Sequence, residues 1–101
     1  GFMDDYVAAI ADLDRALALN DKYTTAYYNR AFWKDLQGDY DGAIVDYKKA
    51  IELDPKYKEA YVGMATCMYM HGEKKEACKI LKDAAERGSV MAEELITKLC
   101  E

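Results

Sequence analysis

The reactive side chains with suggestive spacing in this sequence are two cysteines and its one histidine. Cys67 and His71 are four residues apart, which places them on one helix face, and Cys78 follows on the next predicted helix. Such a set could bind a metal ion or form a cysteine–histidine nucleophile pair. A shift of 34 residues, however, aligns Cys67 with Trp33 and Cys78 with Ile44. Both cysteines are therefore interpreted as small core residues, and neither a metal nor a cofactor is expected.

No other catalytic set can be assembled from the sequence. With a single histidine there is no serine, histidine and aspartate constellation, and neither a GxGxxG motif nor a P-loop occurs. An excess of 19 acidic over 14 basic residues, for a net charge of −5, opposes the phosphate contacts that nucleic-acid binding needs. No apolar run reaches the roughly 20 residues that span a bilayer. We predict that the protein is not an enzyme and binds neither nucleic acid nor membrane.

The number and spacing of the cysteines indicate whether the protein's cellular compartment is oxidising or reducing. Three cysteines are an odd number, and none forms a CxxC pair, which is not typical of a secreted disulfide framework. A reducing compartment, the cytoplasm, is therefore expected. Gly1 before Phe2 resembles the residue that remains after a purification tag is cleaved. The expected cytoplasmic location therefore takes no account of any targeting segment that precedes Gly1 in the natural protein.

The elements that carry these residues are predicted to be helices throughout. One proline and six glycines interrupt 101 residues, and apolar residues recur at intervals of three and four. The pattern predicts six helices and no strand. Their expected bounds are residues 4–19, 24–37, 40–53, 58–71, 74–87 and 90–100.

The sequence repeats itself with a period of 34 residues. The shift superposes two alanine triplets and carries Ala31 onto Ala65 and Gly38 onto Gly72. The triplets are Ala9, Ala43 and Ala77, and Ala16, Ala50 and Ala84. Their members lie seven residues apart within each helix and so share one face, where small side chains let neighbouring helices approach closely.

The repeat resembles the tetratricopeptide repeat family, whose period is 34 residues. The residues that carry the resemblance are Tyr27, Arg30, Ala31, Lys34, Ala43, Tyr47, Ala50 and Pro55. It implies an all-α fold, a right-handed superhelical array of antiparallel helix pairs in one domain, residues 1–101. Residues 1–23 would form a partial repeat, 24–57 and 58–89 full repeats, and 90–101 a capping helix.

The resemblance also implies a site. In this family the first helices of successive repeats line a concave groove that binds a peptide or helical segment of a partner protein. The corresponding residues are Tyr28, Asn29, Phe32, Leu36, Val62, Thr66, Tyr69 and Met70. If the last helix completes the groove, Glu93, Ile96, Thr97 and Cys100 join it. Tyr28, Phe32 and Met70 could instead pack against neighbouring helices.

The types of these residues indicate the ligand. One subclass of the family clamps a terminal carboxylate with lysine, arginine and asparagine, but only Asn29 is present here. We therefore do not expect the protein to clamp the terminal carboxylate of a chaperone tail. The expected ligand is an apolar segment of a partner protein. The expected function is that of an adaptor or scaffold that binds another protein.

A different function remains open. The first predicted helix has an apolar stripe of Tyr6, Ile10, Leu13 and Leu17, with no preceding helix to cover one flank. The alternative is a structural module that self-associates through this flank and binds no peptide.

Overall fold

The computed structural model describes residues 2–100, with side chains from residue 5 onward. Over this range the chain forms six α-helices and no strand. They are α1 (Phe2–Leu19), α2 (Thr24–Leu36), α3 (Tyr40–Leu53), α4 (Lys58–Met70), α5 (Lys74–Glu86) and α6 (Val90–Leu99). The bounds expected from the sequence are confirmed to within two residues.

The helices form a right-handed array in which each packs mainly against its neighbours along the chain. Helices α2 and α3 fall within residues 24–57, and α4 and α5 within 58–89. A weaker contact between α2 and α4 brings the first helices of the two pairs onto one face.

Tight turns reverse the chain between paired helices. Gly38 and Gly72 have φ angles of 85° and 101°, a left-handed conformation that glycine adopts without a Cβ penalty. The Asp39 side chain then caps α3 by accepting a hydrogen bond from the Gly42 amide at 3.1 Å. These turns fix the antiparallel pairing.

The core is built from alanines between larger side chains. Ala31, Ala43, Ala50, Ala65, Ala77 and Ala84 are fully buried. Tyr47 and Leu81 are the largest side chains enclosed among them. The packing role predicted for the alanines is confirmed from α2 onward, whereas Ala9 and Ala16 in α1 are half-buried.

An ion cluster joins the first three helices. The Asp46 carboxylate, 2% exposed, accepts hydrogen bonds from Nε and Nη2 of Arg30 at 2.8 Å each, and Lys34 Nζ lies 3.0 Å away. Arg30 Nη1 donates to Asp14 on α1 at 2.8 Å. These bonds raise the pKa of Arg30 above its ordinary value, so the guanidinium stays charged.

The expectation that Cys78 is an unpaired core residue is wrong. Helix α6 folds back along α5 and brings Cys100 beside Cys78, the fifth residue of that helix. The two Cα atoms are 5.8 Å apart, and the pair forms a disulfide. Cys67 is buried and free, as predicted. The expectation of a reducing compartment assumed unpaired cysteines, so the disulfide removes part of its support.

Candidate functional site

A cavity of about 590 Å³ opens on the face that α2, α4 and α6 share. Its apolar wall consists of Tyr28, Phe32, Tyr47, Val62, Val90, Met91 and Leu95. Its polar and small residues are Asp35, Lys58, Glu59, Gly63, Thr66, Gly88 and Ser89. We call this cavity the groove. Its size and apolar wall suit a few side chains of a bound segment.

Half of the predicted site residues line the groove. Tyr28, Phe32, Val62 and Thr66 do so. Phe32 is 44% exposed, so it presents its ring to solvent instead of being enclosed by neighbouring helices.

The other four predicted residues lie outside the groove. Asn29 is exposed, and Leu36 and Met70, at the C-terminal ends of α2 and α4, are also exposed. Tyr69 carries the Lys74 ammonium group over its ring at 5.4 Å and thus contacts α5. These four side chains are therefore not part of the cavity lining.

Helix α6 contributes different residues from those expected. Val90, Met91 and Leu95 line the groove, not Glu93, Ile96, Thr97 and Cys100. The cause is a change of register: α2 and α4 begin 34 residues apart, whereas α6 begins at Val90, two residues early. The Ser89 hydroxyl starts this helix by accepting a hydrogen bond from the Ala92 amide at 3.1 Å. The sequence signal for this helix start was Ser89, a residue type whose hydroxyl commonly caps the amide three residues later, here that of Ala92.

Tyr28 belongs both to the groove wall and to an aromatic cluster. Its ring stacks on Tyr57 with centroids 5.0 Å apart and meets Tyr47 at 5.7 Å and 59°. Burial, with a smaller contribution from the Glu59 charge, raises the pKa of Tyr28, and burial raises that of Tyr47. Both phenols are therefore neutral at physiological pH.

The charged residues of the groove are predominantly acidic. The lining contains two acidic residues, Asp35 and Glu59, and one basic residue, Lys58. Burial raises the pKa of Asp35, and a hydrogen bond from Cys67 partly opposes this shift. Among the described side chains neither acid has an ion-pair partner within 4 Å. The groove thus holds two carboxylates and one ammonium group, and neither carboxylate is in an ion pair among the described side chains.

The residues considered for metal binding do not come together. Cys78 is in the disulfide. His71 lies 3.3 Å from Asp41 and 3.5 Å from Glu73. Among the residues described, no group of three histidine, cysteine or acidic side chains is placed to hold an ion. None of the helices in residues 2–100 has the length and apolar composition needed to cross a bilayer.

Comparisons with known protein families and with solved structures identify the same family. A model of the tetratricopeptide repeat matches residues 36–89. The Arabidopsis OM64 TPR domain has a TM-score of 0.89 and 24% identity over 95% of this chain and 81% of that one, a likeness of fold. No curated protein sequence gives a significant match.

Two further solved structures are similar at higher identity. The crystal structure of MamA is 36% identical, with a TM-score of 0.80 over 95% of this chain and 53% of MamA. The present chain thus spans about half the length of MamA. The second TPR domain of human RPAP3, solved in complex with the HSP70 peptide SGPTIEEVD, is 25% identical, with a TM-score of 0.87 over 100% of this chain and 88% of that one.

Proposed function

Because the chain belongs to the tetratricopeptide repeat family, we propose that it is a non-enzymatic adaptor that binds a segment of another protein in the groove of α2, α4 and α6. The observation that carries this proposal is the open cavity of about 590 Å³ with an apolar wall. The similar human RPAP3 domain holds a peptide, which supports the same use of the fold. The predicted residues Asn29, Leu36, Tyr69 and Met70 would contact parts of a segment that extend past the cavity.

The groove wall favours an apolar segment. Phe32 and Met91 are 44% and 63% exposed, and exposed aromatic and methionine side chains are typical anchors of helix and peptide grooves. Lys58 is the one basic residue among those that line the cavity. A peptide tail rich in glutamate and ending in a carboxylate would therefore find little compensating charge.

The test is binding of labelled peptides, measured by fluorescence anisotropy. The probes are amidated peptides with leucine or phenylalanine at two positions, and SGPTIEEVD with a free carboxylate. We expect the apolar peptides to bind and SGPTIEEVD to bind at least about tenfold more weakly, a difference of roughly 1.4 kcal/mol. Tight binding of SGPTIEEVD would contradict the apolar preference.

A matched pair of variants locates the binding surface. Phe32→Ala removes a groove ring that is 44% exposed, and Tyr23→Ala removes a ring that is 48% exposed and lies outside the groove. Phe32→Ala should abolish binding of the apolar peptides, and Tyr23→Ala should not. Equal effects of the two substitutions would show that the groove is not the binding surface.

Self-association through α1 is the alternative function. Part of the expected flank is already covered, since Leu17 is buried and Tyr6 packs on Trp33 at 5.6 Å. Val7 remains 59% exposed. Light scattering over a range of concentrations separates the functions: a concentration-dependent mass that Leu13→Glu abolishes would favour self-association.

The expected cytoplasmic location is part of the same proposal, and the disulfide provides its test. Protein taken from its source should be alkylated at all three cysteines in denaturant if the compartment is reducing. Modification of Cys67 alone would contradict the location.

A further inference from the structure

The starting observation is that two carboxylates face the groove from neighbouring helices. Asp35 lies on α2 and Glu59 on α4, and both line the cavity. The basic residues nearest in sequence to Asp35 are engaged elsewhere, because Arg30 and Lys34 pair with Asp46. Lys58 therefore supplies the positive charge of the cavity wall.

The second observation is the aromatic surface beside these acids. Glu59 and Tyr28 line the same cavity, and the Tyr28 ring stacks on that of Tyr57. The charge of Glu59 contributes to raising the pKa of both phenols. Phe32, one turn along α2 from Tyr28, adds an exposed ring to the same wall. The faces of aromatic rings attract cations, and the attraction increases as water is excluded.

Asp35 differs from an ordinary surface acid. Its carboxyl is partly buried, and burial disfavours its charged form. A cation brought into the groove would offset this cost by pairing with the carboxylate. An apolar side chain alone would bury the acid further and leave its charge without a partner.

We propose that the segment bound in the groove carries a lysine or arginine next to its apolar anchor, with the cation lying against Tyr28 between Asp35 and Glu59. The apolar anchor contacts Phe32, Val62 and Met91. This inference rests on the proposed function, the binding of a segment in the groove, and specifies that the segment carries a positive charge. Charge complementarity, more than apolar area, then selects the partner.

The experiment compares three amidated, N-acetylated peptide pools. All carry the same two leucine or phenylalanine positions in an alanine background, and they differ at one adjacent position, which is lysine, glutamine or glutamate. Affinities for the full chain are measured by fluorescence anisotropy at fixed salt, since exposed charge pairs are salt-dependent. We expect the lysine pool to bind on the order of tenfold more tightly than the glutamine pool, and the glutamate pool most weakly.

Charge variants identify the carboxylates responsible. Asp35→Asn with Glu59→Gln should reduce the ratio of lysine-pool to glutamine-pool affinity to about one. The control combines Asp21→Asn with Glu94→Gln, which changes the net charge equally at exposed positions outside the groove, and it should keep the ratio of the unsubstituted protein. Circular dichroism confirms that all variants are equally helical.

The outcomes separate this inference from the function on which it rests. Pools that bind equally well and lose binding in Phe32→Ala would overturn the cation preference and leave the groove function standing. A lysine preference that the control variant also loses would overturn the assignment to Asp35 and Glu59. Binding by no pool, or binding insensitive to Phe32→Ala, would overturn both.

Discussion

The ring of Tyr47 crosses α4 at Gly63, so close that a Cβ atom at position 63 would stand 2.5 Å from Tyr47 Cζ and 2.8 Å from its hydroxyl oxygen. Tyr47 is 1% exposed and both residues line the groove. The missing side chain of Gly63 therefore lets a large residue of α3 fill the space behind the groove. The contact between Tyr47 and Gly63 therefore affects both the packing of the core and the shape of the groove.

Gly63→Ala should destabilise the protein. Alanine favours a helix over glycine by about 1 kcal/mol, but the clash with a rigid buried ring should cost more, for a net loss of about 1–3 kcal/mol in the free energy of unfolding. Urea denaturation measures the change. The control repeats the substitution in a Tyr47→Leu background, where the alanine should be tolerated better. An equal cost in both backgrounds would contradict the proposed clash.

Asp46→Ala should be among the most costly polar substitutions. It leaves Arg30 and Lys34 facing each other without the carboxylate that both contact, and losing one partner of a buried ion pair costs about 3–5 kcal/mol. Asp14→Ala is the matched control, because Asp14 bonds to the same guanidinium but its side chain is 56% exposed; its cost should stay below about 1 kcal/mol. Similar melting temperatures for the two variants in calorimetry would contradict this account.

The helices and their pairing were predictable because their signals are local and repeated. The 34-residue period relates the start of α4 to that of α2 and the start of α5 to that of α3, and Gly38 and Gly72 predict the reversals. The family resemblance predicted Tyr28, Phe32, Val62 and Thr66 in the groove, and helix register explains why those of each helix share one face.

Features that depend on several helices at once were not predicted. The ion cluster joins residues from three helices, although the sequence holds a signal for it. A shift of 34 residues places Met64, Met68 and Ile80 at the positions of Arg30, Lys34 and Asp46. Three charges in one repeat thus become three apolar residues in the next, a coordinated change that indicates contact. The α6 wall of the groove was missed because its residues were assigned by the strict 34-residue shift, although the last helix was itself expected to begin at residue 90. The disulfide depends on how α6 packs against α5, which no local pattern predicts.

Cys67 should be unreactive in the native protein. Burial, together with the nearby Asp35, raises the pKa of its thiol to about 12, and the thiolate is the reactive form. At pH 8 the thiolate is on the order of 1,000-fold scarcer than for a thiol with the ordinary pKa of 9.0. Iodoacetamide labelling followed by mass spectrometry should therefore show Cys67 modified rapidly in urea and hardly at all without it. Equal labelling rates would show that the thiol is accessible and ionised.

Reduction of the Cys78–Cys100 disulfide should destabilise the end of the array and affect the groove. The disulfide closes a loop across 22 residues that includes Val90, Met91 and Leu95, and such a cross-link contributes about 2–4 kcal/mol by restricting the unfolded chain. Urea denaturation with and without dithiothreitol measures the loss, and binding of the apolar peptides should weaken in parallel because α6 forms one wall of the groove. Cys100→Ser is the control, since its stability and peptide affinity should match those of the reduced protein and should not respond to reductant. In purified protein that has been oxidised in air, three thiols after denaturation without reductant, or a stability that reductant leaves unchanged, would contradict the cross-link.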